Sequence, residues 1–341
     1  MGGQGEGSTQ VRNADSHPQL TNFDPDLTSG FFRLAGLFGP GHNRQVSIRL
    51  EMLQVARLAP NLLGESVDLV KSFLLSQMTK EGGFKDRMGR SDLYYTVFGL
   101  EGLMALQTTC PPETDGFVGS FGQGQDLDFV HLCCLARCRA TLGMMGHGQA
   151  TPEWAGDVAA ALAQFRAIDG GFHPKRGAAD STVYACFLGL AAYQDLQIAV
   201  PESGRLVEAL CRLRTRDGAW ANEPGIPVGA TNSTAAAVTA LRNLSTPLDA
   251  VVGDWLKARC HAQGGFVAAP GVPMPDLLST ATALHALNGL QRDISDIQER
   301  CLDFIDSLWT NEGAFHGHWD DEHLDVEYAY YGLLALGHLS L

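Results

Sequence analysis

From about residue 60 to the C-terminus, two patterns of apolar residues alternate along the chain. In the first, seen in Gly64 to Met78, Val67, Leu69, Val70, Phe73 and Leu74 recur near helical period with polar positions between them. This predicts an amphipathic helix with one wet face. In the second, seen in Thr280-Ala281-Thr282-Ala283-Leu284-His285-Ala286-Leu287, apolar and small residues cover nearly every face, which predicts a helix buried on all sides. The step from one pattern to the next is marked by a small residue and an aromatic: Phe84, Phe121, Phe172, Trp220, Phe266 and Phe315. Spacings of this size mark a repeat architecture. Six pairs of one half-exposed and one fully buried helix predict an all-α fold, an α6/α6 barrel with amphipathic helices outside and apolar helices inside. An open superhelix would leave one face of the apolar helices wet, so the closed toroid is preferred.

The fullest copy runs from Gly82 to Leu103: a Gly-Gly-Phe turn, a charged loop, Asp92, then an apolar helix rich in small residues. Corresponding acids are Asp128, Asp180, Asp276 and Asp325, while the fourth copy has only Thr231-Asn232-Ser233-Thr234. Each Asp suits a helix N-cap, where a carboxylate meets free N–H groups and the positive end of the dipole. A barrel gathers all inner-helix N-termini on one rim. The acids, and the basic residues of the loops before them, then face one mouth, which is the expected place for a site.

Outside the repeats, residues 1–30 are polar with scattered Pro and Gly and are expected to be disordered. Residues 31–60 hold an apolar patch, a Gly-Pro-Gly-His turn and a helix expected from about Gln45 to Leu58, read together as a helical cap or lead-in to a toroid spanning 61–341. A chain of 341 residues with 45% hydrophobic content can bury a large core. The net charge of −14 argues against nucleic acid or an anionic membrane as the main partner. No stretch approaches the roughly 20 apolar residues of a membrane span, and no apolar signal core follows the N-terminus, so a cytoplasmic location is expected. Met1-Gly2 is a poor acylation start because position 6 is Glu. Of the eight cysteines, Cys133, Cys134, Cys138, Cys186, Cys211 and Cys301 sit in apolar helical stretches and are expected to be free thiols. No Cys-x-x-Cys pair with metal spacing occurs.

The Gly-Gly-Phe turns, the following Asp and an inner helix ending Gly-Leu-x-x-Leu resemble the β subunits of protein prenyltransferases, most closely those of Rab geranylgeranyl transferase, and the wider terpenoid-cyclase toroids. The similarity covers residues from about 60 to 341. It implies a prenyl transfer activity, an aromatic-lined barrel for the isoprenoid chain, Arg, Lys and Tyr beside the diphosphate, an α-subunit-like partner, and a zinc ion held by Asp-x-Cys in one repeat and a His in the next. Zinc would supply a thiolate nucleophile at neutral pH, and cations would stabilise a departing diphosphate. By repeat order the zinc acid is Asp276, but Leu278 stands in the cysteine place and Tyr328, three after Asp325, in the histidine place. The loop Val267 to Pro275 carries no Arg or Lys.

Basic residues appear in other repeats instead. Arg87 and Arg90 follow Phe84 at the offsets of the family's diphosphate-binding cations, with Lys85 beside them, and Asp92 and Tyr95 fill the acid and tyrosine places. Asp128-Phe129-Val130-His131 matches the family's Asp-x-x-His. One reading is a relocated site on the first two repeats; the other is solvated loop charges and a histidine at the edge of the core. Lys175 and Arg176 would add to a positive mouth if they point inward. The last loop holds His316, His318, His323 and four acids up to Asp325, and His318 and His323 join Asp92 and His131 as weaker metal candidates.

Other classes fit less well. A class II terpene cyclase needs Asp-x-Asp-Asp, whereas Asp126-Leu127-Asp128-Phe129 lacks the last acid, and such cyclases usually pair two helical domains. A glycosidase needs stacking aromatics as well as two carboxylates, and only 8% of this chain is aromatic. The Cys-Gly-Glu-Gln of thioester toroids is absent. The main rival is a non-catalytic lipid-binding or protein-interaction scaffold on the same toroid.

Overall fold

The computed structural model describes residues 46–341. The expectations for 1–30, and for 31–60 as far as residue 45, lie outside the described residues. The chain forms α1 (Ile48–Ala56), α2 (Pro60–Leu63), α3 (Val67–Ser76), α4 (Leu93–Ala105), α5 (Glu113–Gly119), α6 (Phe129–Met144) and α7 (Pro152–Ala163). It continues through α8 (Val183–Asp195), α9 (Ser203–Arg212), α10 (Thr231–Asn243), α11 (Ala250–Lys257), α12 (Leu277–Gly289), α13 (Ser295–Leu308) and α14 (Val326–Leu339). Two short antiparallel ribbons, Phe84–Lys85 with Ser91–Asp92 and Phe266–Val267 with Pro275–Asp276, brace the loops before α4 and α12.

The even-numbered helices α4 to α14 pack each on the next, and α14 packs back on α4, so the inner ring is closed. The odd-numbered helices α3 to α13 lie outside against them. This is the concentric six-pair toroid that the two patterns predict. The inner helices bury most of their faces, as α4 does with ten of its thirteen residues. An outer helix such as α9 buries only Leu206, Ala209 and Leu210.

One local device recurs at the turns. The residue before the Gly-Gly-Phe type aromatic closes a tight turn, and a glycine at positive φ, such as Gly82 (φ 92°), makes that turn without strain. The aromatic then pairs with the residue six positions earlier and is fully buried; Phe84, Phe172, Trp220, Phe266 and Phe315 all do this. Its N–H donates to a side chain on the inner helix: Phe84 to Thr96, Trp220 to Thr234, Phe266 to Thr280, and Phe172 to the Cys186 thiol. The Phe84 ring lies directly on Gly99, where any Cβ would collide with it. Phe121 is not an equivalent. It is half-buried, takes part in none of these bridges, and packs edge-on against Phe117 at 5.2 Å.

Four of the five expected Asp caps hold. Asp92, Asp128, Asp276 and Asp325 each accept a backbone N–H from the first turn of α4, α6, α12 and α14. Asp180 does not: it is exposed, and Thr182 caps α8. Helix α10 has Ala230 at its N-cap position and so no side-chain cap.

The inner helices run parallel, and their leading loops join around one rim. Val183 N donates to Asn222 O, Thr231 N to Ala268 O, and Leu277 N to Gly317 O. At the opposite end α1 packs on α14, α4, α8 and α10 and plugs the ring. Its Arg49 is paired to Asp195 at 2.7 Å, and its Glu51 to Arg242. All eight cysteines are free, and Cys211 is exposed rather than buried. No described helix is long and apolar enough to cross a membrane.

Candidate functional site

The rim is most elaborate where α14, α4 and α6 begin. Arg87 extends from the loop before α4 across to the neighbouring repeat. Its Nε donates to Asp325 Oδ2 at 2.9 Å, its Nη2 lies 3.4 Å from Asp321 Oδ2, and its guanidinium is 5.6 Å from the centre of the Tyr328 ring. Burial opposes its charge, but Asp325 and Asp321 outweigh that and hold it firmly cationic. Arg90 instead turns back on its own loop and pairs with Asp86 at 2.9 and 3.1 Å. Lys85 is half-buried on the adjoining ribbon.

On the other side of α4, Asp128, His131 and Asp92 form a chain. His131 Nδ1 lies 2.9 Å from Asp128 Oδ2 and its Nε2 3.2 Å from Asp92 Oδ2. Burial works against the imidazolium, yet Asp128 and then Asp92 raise its pKa above the ordinary histidine value. The structure therefore brings Asp92 and His131 together, as a relocated site on the first two repeats requires. It also adds Asp128 as a third member. Tyr95, half-buried on the first turn of α4, has its hydroxyl pKa raised, first by burial and then by Asp325.

Just inside this rim Tyr94 donates a 2.6 Å hydrogen bond to Glu327 Oε1. Burial, reinforced by Asp325, pushes the Glu327 carboxyl up to about 7, against the lowering effect of Tyr94. Below Tyr94 a narrow cavity lies inside the ring. Tyr94, Phe98, Tyr184, Phe187 and Tyr331 line its upper part. Tyr184 keeps 44% of its surface accessible although protein surrounds it, because that surface faces the cavity. Rings of Tyr94 and Phe98 meet edge-on at 5.0 Å, and Phe98 lies 5.5 Å from Tyr331, a continuous aromatic wall.

The floor is charged. Arg137 clasps Glu101 through two hydrogen bonds of 2.8 and 3.2 Å, and Arg49 holds Asp195. None of these four residues, nor Glu327, is singled out by the repeat pattern or the family motif. The available signal was their setting, since a charge inside a helix apolar on every face has to be buried and paired.

The remaining predicted residues lie elsewhere. Lys175 lines a separate open polar depression with His173, Asp180 and Glu223, and Arg176 stacks on Phe165 at 4.9 Å, so neither joins Arg87. In the last loop, His318 Nδ1 accepts from the Asp320 N–H at 3.2 Å, and His323 Nδ1 lies 3.3 Å from Asp321 Oδ1. Among the described residues no group of three His, Cys, Asp or Glu side chains converges as a metal site would. At the zinc position the resemblance implies, Asp276 is engaged by the N–H and hydroxyl of Ser279, both at 2.7 Å. Leu278 offers no donor, and Tyr328 lies under Arg87. That donor set does not fit the zinc.

Comparison with known proteins agrees with this architecture. The family model described as the prenyltransferase alpha-alpha toroid domain matches residues 61–123 and 233–340, half of the chain. No curated protein sequence matches. Among solved structures, the type II terpene cyclase MstE from Scytonema superposes with a TM-score of 0.56 at 16% identity, covering 82% of this chain and 97% of its own. The Candida albicans protein geranylgeranyltransferase-I chain, complexed with GGPP, gives 0.57 at 14% identity over 80% and 90%. A glycosidase solved with glucose gives 0.56 at 12% identity over 84% and 98%. Identities this low speak for the fold alone. A matched family model, six helix pairs and a closed inner ring together place the chain in the prenyltransferase alpha-alpha toroid family.

Proposed function

We propose that this protein binds an isoprenoid, or a ligand with a comparably long apolar chain, inside the inner ring. The aromatic-walled cavity that runs from Tyr94 down to the floor carries this reading. If the ligand carries a diphosphate, Lys85, Arg87 and Arg90 are the cations at the rim. Arg87 and Arg90 already hold Asp325, Asp321 and Asp86, so a diphosphate has to displace carboxylates and gains little. Calorimetric titration with farnesol, geranylgeraniol and their diphosphates tests this. Micromolar binding of an alcohol, with less than about tenfold gain from the diphosphate, is expected. Failure of all four to bind overturns the reading and leaves the toroid as an interaction scaffold.

A second reading concerns reaction. Prenyl transfer through zinc is unsupported by the donor set. Glu327, pushed up to about 7 and bonded to Tyr94 at the upper end of the cavity, is suited to delivering a proton to a bound chain near neutral pH. The Asp126-Asp128 segment is not, because both residues are exposed. Incubation with geranylgeranyl-bearing phenols, followed by mass spectrometry and NMR, would show cyclised isomers of unchanged mass, lost in Glu327→Gln. Unaltered substrate after prolonged incubation would sink this second reading.

A further inference from the structure

The floor of the cavity carries more chemistry than an apolar tube needs. Asp195 is the last residue of α8, where the negative end of the helix dipole disfavours a carboxylate. Its side chain is only 1% accessible, and it lines the cavity. Arg49 satisfies Oδ1, but Oδ2 is buried without a hydrogen-bond partner. An unpaired buried acceptor is costly, and a buried ion pair is seldom more stabilising than apolar residues of the same volume. Two unfavourable placements on one residue that borders the cavity therefore need an explanation outside the fold.

We infer that Asp195 Oδ2 is a hydrogen-bonding subsite for the far end of the ligand, which carries a neutral donor such as a hydroxyl. This rests on the isoprenoid-binding reading above. The neutrality follows from the floor itself: two cations, Arg49 and Arg137, are matched by two anions, Asp195 and Glu101. An ammonium or carboxylate placed there would upset that balance in a poorly solvated site. A hydroxyl donates to Asp195 without adding charge. Burial raises the Asp195 carboxyl above its usual range, although Arg49 and Arg137 pull it down, so Asp195 is a group for which an added donor matters. The length is consistent with an elongated ligand. Tyr184 and Asp195 lie at opposite ends of the cavity wall on one helix, eleven residues apart, or about 16 Å. The ligand class is thus an isoprenoid hydroxylated at the end remote from the mouth rather than a plain hydrocarbon tail.

The test uses the full chain and two pairs of probes: farnesol and geranylgeraniol, each with and without an ω-hydroxyl. Calorimetry on the wild type should show the ω-hydroxyl tightening binding by about tenfold for the chain length that reaches the floor. Asp195→Asn should reduce that preference. The double variant Arg49→Met with Asp195→Leu removes both charges together and so avoids an unpaired ion; it should abolish the preference while still binding the plain alcohol. Equal wild-type affinity for the two members of each pair overturns the subsite and leaves the binding reading intact. No binding of any probe overturns both. A preference that survives the double variant assigns the hydroxyl to another group and also overturns the subsite.

Discussion

Repeats built on one plan differ sharply on opposite sides of the ring. Where α14, α4 and α6 adjoin, Asp caps are tied across repeat boundaries by Arg87 and His131, Tyr94 meets Glu327, and Glu101 is buried against Arg137. Where α8 and α10 adjoin, the caps are Thr182 and an uncapped Ala230, and the contacts between leading loops run through backbone groups and Asn222. Both sides use the same turn device, with Phe172 and Trp220 as deeply buried as Phe84 and Phe315. The device makes the fold; the chemistry lies in what each copy adds to it. That separation explains why a family motif can identify the toroid while leaving the reaction open.

The contrast can be broken most severely at Glu101. Arg137→Ala leaves this carboxylate buried and unpaired, and should cost about 3–5 kcal/mol in urea unfolding. A loss below about 1 kcal/mol would mean that solvent reaches Glu101. Next comes Arg87→Ala, which unties the first and last repeats and strands the buried Asp325. About 1–2 kcal/mol is expected, less than for a fully buried pair because Arg87 is partly solvated. The same denaturation experiment on Arg90→Ala, whose own side chain is mostly exposed, should register no more than about 0.5 kcal/mol.

The pH profile sharpens the comparison further. Glu327 has its folded pKa raised from 4.5 to about 7, so between those values the folded state holds more proton than the unfolded chain. Its contribution to stability is complete below pH 4.5 and is lost as pH rises toward 7. The raised His131 acts with the same sign, from the unfolded histidine value upward. Melting temperature measured against pH should therefore fall less steeply over this window in Glu327→Gln than in the wild type; parallel curves would remove Glu327 from the account. One substitution is expected to be a gain. Ala230 has the extended backbone of an N-cap but no side chain to cap with, so Ala230→Ser should stabilise by about 0.5–1 kcal/mol in the same assay.

Interactions between residues a few positions apart are legible in the sequence. The alternation of half-apolar and fully apolar helices, the aromatic turns and the caps at Asp92, Asp128, Asp276 and Asp325 follow from helical period and from backbone groups at helix ends, both local properties. The same local reasoning fails at Phe121, which joins none of the turn bridges, and at Asp180, which stands two residues ahead of the cap position that Thr182 takes. Lys175 and Arg176 mark the limit for loop charges, since sequence gives their number but not their direction. Pairings such as Arg87 with Asp325, 238 residues apart, or Tyr94 with Glu327, 233 apart, exist only because the last inner helix closes on the first. The sequence by itself determined the repeat, its two kinds of helix and most of its caps, because these depend on neighbours along the chain. Only the closed ring decided which charges are buried, which are paired and which face the cavity, because those depend on neighbours brought together from its two ends.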